Sequence, residues 1–254
     1  MPPPIDRIRL LEDIGADAWP AATTVWLEGW RLSLDAGMTR RANSVVPNAV
    51  RPIDDADALI GEVERRSRER GLCPCFKLAA AAEPADLDRR LERRGYRLEG
   101  HSLVLVADAR TVVAPHAPEV ATILDDRPTP AWLDACWPAA QYVAERAARQ
   151  AIVERLTLPR AFALAGRGGA LAGAALAAAD RGWVGLTAVH TLPEQRRRGV
   201  ARDLLGALAG WAIARRIERV YLQVERDNAP ARRLYAALGF TEAYGYHYRR
   251  ALAE

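Results

Sequence analysis

The residues best suited to chemistry lie between Leu186 and Phe240. An apolar run, Leu186-Thr187-Ala188-Val189-His190-Thr191-Leu192, is followed by Pro193-Glu194-Gln195-Arg196-Arg197-Arg198-Gly199-Val200-Ala201, which feeds into Arg202-Asp203-Leu204-Leu205. Strand, turn and helix start follow in that order. The first turn of a helix carries backbone N–H groups without intrahelical partners at the positive end of its dipole, so this order makes an anion site. Gly199 lets a ligand approach the backbone, and Ala201 keeps the second approach point small. The arginines suit phosphate oxygens. The run lacks the Gly-Lys-Ser/Thr of a P-loop and the three glycines of a dinucleotide fold.

A second block follows. Arg219-Val220-Tyr221-Leu222-Gln223-Val224-Glu225 reads as a strand, then Asn228 precedes a short helix from Ala229 to Leu238, closed by Gly239-Phe240. Asn228 and Tyr235 stand seven residues apart. With both blocks in this order, the chain resembles the GNAT superfamily of acetyl-CoA-dependent N-acyltransferases. Arg196-x-x-Gly199-x-Ala201 is similar to the family's pyrophosphate loop, and Asn228…Leu234-Tyr235-x-x-Leu238-Gly239-Phe240 to its second signature. The resemblance covers roughly the last 140 residues, with its core from Val189 to Phe240.

That resemblance implies acetyl-CoA as co-substrate, no metal, and attack of a neutral amine on the thioester carbon through a tetrahedral oxyanion. Backbone N–H groups from Arg197 to Arg202, with Arg196, Arg197, Arg198, Gly199, Val200, Ala201 and Arg202 around them, would hold the pyrophosphate. Backbone groups of Val189, His190 and Thr191 would hold the pantetheine arm and the acetyl group. A Val189 N–H on the carbonyl would be worth about 3 kcal/mol. Tyr235 matches the family's general acid. A phenol, with an ordinary pKa of about 10, can protonate a thiolate without itself being ionised at neutral pH. Asn228 would contact the cofactor arm. The general base is unassigned: Glu225, His190 or a water chain could serve. A non-catalytic acetyl-CoA sensor or scaffold is the alternative reading. The acceptor, a small-molecule or peptide amine, is not legible.

Bulk properties narrow the rest. The chain has 254 residues, a hydrophobic content of 50 % and a formal charge of +4, enough for one large domain or two ordinary ones. Lys77 is its one lysine, and the arginines are scattered rather than interleaved with aromatics, which argues against nucleic acid. Cys73, Cys75 and Cys136 make neither a disulfide framework nor a metal or redox pair and read as reduced thiols. The start is no signal peptide and no run is long enough to span a membrane. A cytoplasmic monomer or homodimer is expected.

The elements that must position these residues read as α/β (α+β): two GNAT-like halves, each a mixed, mostly antiparallel twisted sheet flanked by helices. The first half, 1–110, reads as a helix over 5–22, strands over Thr24–Leu34 and Thr39–Val46 around a turn at Asp35-Ala36-Gly37, and a helix from Ala56 to Arg70 capped by Asp54 or Asp55. A strand Cys75–Ala79, a helix from Pro84 to Arg94 and a strand His101–Val106 complete it. Aligning Gly95-Tyr96 with Gly239-Phe240, an offset of 144 residues, overlays this order on the later one and suggests a duplication. In the first copy Leu91 replaces the tyrosine, Pro84 the asparagine, and Pro47–Asp55 carries carboxylates but no glycine. The first half is therefore expected to be degenerate and non-catalytic, with Arg40-Arg41-Ala42-Asn43-Ser44 facing either a cleft or solvent.

The second half, 111–254, is expected to be catalytic. Val112-Val113-Ala114 reads as its first strand, and helical sequence runs from Thr129 or Pro130 to Leu156, broken at Trp137-Pro138. Trp132, Trp137 and Tyr142 are candidate acceptor-pocket walls or core. Ala161–Ala165 and Ala170–Ala179 read as strands, the latter against its alanine-rich helical propensity, because turns bound it on both sides. Trp183–Thr191 is the strand before the loop, 199–215 an amphipathic helix, and Ala243–Leu252 a terminal strand with Tyr244, Tyr246 and Tyr248 alternating on one side.

Overall fold

A computed structural model describes residues 3–113, 119–139 and 141–252. In chain order the elements begin with α1 Ile5–Asp17, β1 Thr23–Leu27, β2 Trp30–Leu34, β3 Val45–Pro47, α2 Ala56–Arg68, β4 Cys75–Ala79, α3 Leu87–Arg93 and β5 Arg97–Asp108. They continue with α4 Ala109–Val112, β6 Val120–Asp125, α5 Pro130–Cys136, α6 Arg146–Glu154, β7 Arg160–Arg167, β8 Ala170–Asp180 and β9 Trp183–Thr191. The last are α7 Val200–Ala214, β10 Arg219–Glu225, α8 Ala229–Ala237 and β11 Thr241–Arg250. The chain divides into two compact units, 1–103 with 243–254, and 104–242.

In the first unit β1, β2 and β3 pair antiparallel, β3 meets β4 in parallel, and β4 pairs antiparallel with β11. Asp55 caps α2 by accepting the Ala58 N–H at 2.9 Å, as the sequence suggests. The core sets Trp30 and Tyr96 edge-on to Phe76, each with ring centroids 5.7 Å apart, above Ile60, Val63, Leu87 and Leu91. Tyr244, Tyr246 and Tyr248 are all buried. Beside them Lys77 Nζ meets Glu12 Oε2 at 2.8 Å, and Tyr244 Oη donates to Glu12 Oε1 at 2.8 Å. Both partners of that ion pair are buried.

In the second unit β6, β7, β8 and β9 pair antiparallel in succession, and β9 meets β10 in parallel. Strand β8 is buried from Ala172 to Ala179. Its small side chains let α5 and α7 pack closely on it, which explains why an alanine-rich stretch is strand here: tertiary packing outweighs local propensity. Thr129 Oγ1 caps α5 from the Trp132 N–H at 3.1 Å, with Pro130 in the first turn.

The two units repeat one local design. Gly95 at φ +82° and Gly239 at φ +85° end α3 and α8 in the left-handed region. The Tyr96 N–H donates to Leu91 O and the Phe240 N–H to Tyr235 O, both at 3.0 Å.

Four sequence expectations are corrected. The stretch Thr24–Leu34 is a hairpin whose turn is Glu28-Gly29, at φ +48° and +91°, the positive pair that a tight two-residue turn requires. Thr39–Val46 is not one strand: Arg40–Ala42 forms a 3-10 turn before the short β3. Helix α3 begins at Leu87 rather than Pro84. Val112 closes helix α4, where Asp108 accepts the Arg110 N–H at 2.8 Å, rather than opening a strand; Ala114 lies outside the described residues. The strand that pairs with β7 is β6.

Candidate functional site

Strands β9 and β10 keep parallel register from Arg219↔Trp183 to Leu222↔Leu186 and no further. Beyond that point β9 bends away. Its pairing with β8 shows why: Leu176 faces Thr187 and Ala174 faces His190, so Ala188 and Val189 together oppose Ala175. This is a β-bulge, with Ala188 at φ +52°, a left-handed conformation that L-residues adopt at a cost. Ala188 and Val189 have no register partner on β8 or β10.

A 3-10 turn, Pro193–Gln195, follows β9. Arg197 at φ +61° and Gly199 at φ +85° then reverse the chain into α7. The Asp203 N–H donates to Gly199 O at 3.0 Å, so the N–H groups of Val200, Ala201 and Arg202 precede the first intrahelical bond. No side chain caps this end. It is a helix terminus fitted to an anion.

On the other side Asn228 caps α8, its Oδ1 accepting the Ala231 N–H at 3.1 Å. That bond uses the carbonyl end of the amide and leaves Nδ2 as a donor. Tyr235, seven residues on, is 8 % exposed, with its ring 5.9 Å from that of Phe240. Burial pushes its phenol up to about 12, so it remains protonated at neutral pH.

These groups border one cleft of about 660 Å³. Val189, His190 and Thr191 form its strand wall, and Arg196, Arg197, Gly199, Val200, Ala201 and Arg202 its turn and helix wall. Asn228 and Tyr235 close it. Arg198 is exposed and is not among the lining residues. Pro230, Ala231 and Leu234 complete the α8 wall; Leu234 stands in the second signature, while Pro230 and Ala231 are signalled only by lying four and three residues before it on one helix face. Three arginines and no carboxylate line the cleft, which suits a polyanionic ligand such as a pyrophosphate ester.

His190 lies in the strand wall. Its Nε2 is buried with no hydrogen-bond partner among the described residues. Burial, and then Arg196, lower its pKa from the ordinary 6.5, so it is neutral at pH 7. Glu225 is exposed and does not line the cleft. Trp132 and Trp137 are core: their rings lie edge-on at 5.3 Å, and Trp132 meets Phe162 at 5.0 Å. Tyr142 carries the Arg149 guanidinium 5.2 Å from its ring centroid.

The corresponding parallel pair in the first unit is closed. Only Val45↔Phe76 is in register between β3 and β4, but the Glu83 N–H donates to Pro47 O at 2.9 Å, and Trp30 Nε1 donates to Glu83 O at 2.8 Å. Leu91, at the place of Tyr235, is fully buried. Among the described residues, no helix is long and apolar enough to cross a membrane, and no group of three or more His, Cys, Asp or Glu could hold a metal ion.

Residues 6–249 match a family model described as "Probable histone acetyltransferase Rv0428c C-terminal". The chain is 27 % identical over 248 residues to the "Uncharacterized N-acetyltransferase YobR" of Bacillus subtilis, covering 96 % of this chain and 99 % of that protein. A GCN5-related N-acetyltransferase from Kribbella flavida superposes with a TM-score of 0.74 at 16 % identity, over 98 % of this chain and 95 % of that one. A tandem GNAT protein from the clavulanic acid biosynthesis pathway, without AcCoA, gives 0.66 at 14 % identity, over 95 % and 87 %. At these identities the two structures bear on fold alone.

Proposed function

Since the chain belongs to the Rv0428c C-terminal acetyltransferase family, within the GNAT superfamily of N-acetyltransferases, we propose that it transfers acetyl from acetyl-CoA to a primary amine by direct attack in the cleft beside β9. The observation that carries this reading is the convergence of three features on that cleft. They are an uncapped helix start, a bulged strand and a buried phenol.

Each feature has one task. The N–H groups of Val200, Ala201 and Arg202, with the side chains of Arg196, Arg197 and Arg202, hold the pyrophosphate, and Gly199 gives it room. Arg198 adds charge from outside the lining. The backbone of Val189, His190 and Thr191 holds the pantetheine arm and acetyl group, with the Val189 N–H on the thioester carbonyl. Asn228 Nδ2 steadies the arm near the sulfur. The amine nitrogen forms a bond to the carbonyl carbon, the carbon–sulfur bond breaks, and Tyr235 Oη gives its proton to the departing sulfur. The ammonium proton goes to His190, whose neutral imidazole fits a base better than the exposed Glu225. In this reading 111–254 is the catalytic half and 1–110 a supporting, non-catalytic copy. The internal bonds across Pro47, Glu83 and Trp30 favour a non-catalytic role for the first half.

Titration of the protein with acetyl-CoA, beside a CoA-release assay over a panel of amines, tests the proposal. Tyr235→Phe should keep acetyl-CoA affinity and lose about 10²-fold or more in turnover, the range of general acid–base catalysis. Tight binding with no CoA release from any amine would favour a sensor. An unchanged rate in Tyr235→Phe would remove the acid role.

A further inference from the structure

Helix α5 makes two side-chain hydrogen bonds to the bulge, one on each strand. Trp132 Nε1 donates to Ala175 O at 3.0 Å, and Cys136 Sγ donates to Ala188 O at 3.2 Å. Trp132 and Cys136 are four residues apart, one turn along the same helix face. Their two acceptors are the residues where the ladder fails. Ala175 is the residue skipped on β8, and Ala188 is the left-handed residue on β9. Both donors are buried. Ala175 keeps its register partner Ala163 on β7 but has none on β9, and Ala188 has none on β8 or β10; buried carbonyls need donors, and α5 supplies one to each strand. Burial raises the Cys136 thiol well above its ordinary range, so it stays protonated and able to donate.

The second of these bonds fixes a direction. In a trans peptide the carbonyl of one residue and the N–H of the next point opposite ways, and the described chain's one cis bond is Glu83-Pro84. With Ala188 O turned toward Cys136, the N–H of Val189 is turned away from α5, and Val189 lines the cleft. We propose that Cys136 and Trp132 are positioning residues. They hold the bulge in the form that aims the Val189 N–H into the cleft, without either side chain touching substrate. This inference rests on the role given above to the Val189 N–H.

Three variants of the full chain test it: Cys136→Ala, which removes the donor; Cys136→Ser, which keeps one; and Trp132→Phe, which keeps the ring but removes the N–H. Each is measured by calorimetric titration with CoA, by kcat and KM against the best amine of the wild type, and by the Val189 amide resonance with acetyl-CoA and with CoA. Cys136→Ala should lose about tenfold in kcat, a partial loss of what an oxyanion donor contributes, with CoA affinity within about twofold. Cys136→Ser should recover most of that loss, and Trp132→Phe should fall between. The Val189 amide should shift with acetyl-CoA beyond its shift with CoA in the wild type and in Cys136→Ser, and not in Cys136→Ala. A Cys136→Ala protein with wild-type kcat and an intact Val189 shift would overturn the inference, as would equal losses in Ala and Ser. If the wild type binds acetyl-CoA but turns over no amine, catalysis falls, and the amide shifts still decide whether Cys136 orients Val189.

Discussion

Gly173 and His190 meet backbone to backbone: a Cβ built on Gly173 would lie 2.5 Å from the His190 carbonyl oxygen and 3.0 Å from Val200 Cγ1. Strand β8, the strand wall of the cleft and the first turn of α7 are thus in contact at one glycine. Gly173→Ala should push His190 and Val200 apart, with a stability loss of about 1–3 kcal/mol, the range for overpacking. Weaker acetyl-CoA binding should accompany it. A denaturant melt and a titration on the same sample check this; a variant with wild-type midpoint and affinity would refute it.

Gly199→Ala should act mainly on the ligand. At φ +85° an alanine costs about 1–2 kcal/mol in backbone strain, and its methyl would stand at the helix start. Affinity for CoA and acetyl-CoA should fall together, by about tenfold, because the methyl would crowd the pyrophosphate that both carry. A loss confined to acetyl-CoA would place the pyrophosphate elsewhere.

The pH profile follows from two opposite shifts. His190 is held below 6.5, and a base works only when deprotonated. The rate should therefore fall as pH drops, with a midpoint below the ordinary imidazole value, and His190→Gln should lose that limb. Tyr235 is pushed up to about 12, so no alkaline loss from its ionisation should appear at pH 9. The pH dependence of kcat in a saturating acceptor reads both. A Tyr235-dependent fall near pH 9 would contradict the burial of that phenol.

Lys77→Met should destabilise the first unit by about 3–5 kcal/mol, because it strands Glu12 as a buried charge. The double change Lys77→Met with Glu12→Gln should cost less than the sum of the two single changes, since the remaining amide is neutral. Tyr244 Oη, which donates to Glu12 at 2.8 Å, would still have an acceptor. Urea unfolding of the four proteins measures the coupling; strict additivity would show the pair to be energetically idle.

Much of the site was legible because its signals are local. Gly199 before α7, Asn228 at the start of α8 and Gly239 after it each mark an element boundary through a backbone requirement of their own. Strand β8 is legible from its flanking turns, against its alanines. The bulge was not legible. It arises from the register between β8 and β9, and no glycine marks Ala188. For the same reason Trp132 read equally well as pocket wall or core, while its hydrogen bond to Ala175 depends on a strand more than forty residues away. The hairpin turn at Glu28-Gly29 carries little sequence signal, because a glutamate at positive φ is an uncommon turn residue.

The chain's one lysine, Lys77, is sealed beside Glu12 with its ammonium 4.0 Å from the Tyr246 ring centroid. The thioester donor of the proposed reaction therefore meets no exposed ε-amine on the chain. Incubated with radiolabelled donor and no acceptor, the folded chain should take up no label on lysine. A blank reaction of that kind would give an acceptor screen a clean baseline, and acetylation of Lys77 would itself report that the first unit had opened.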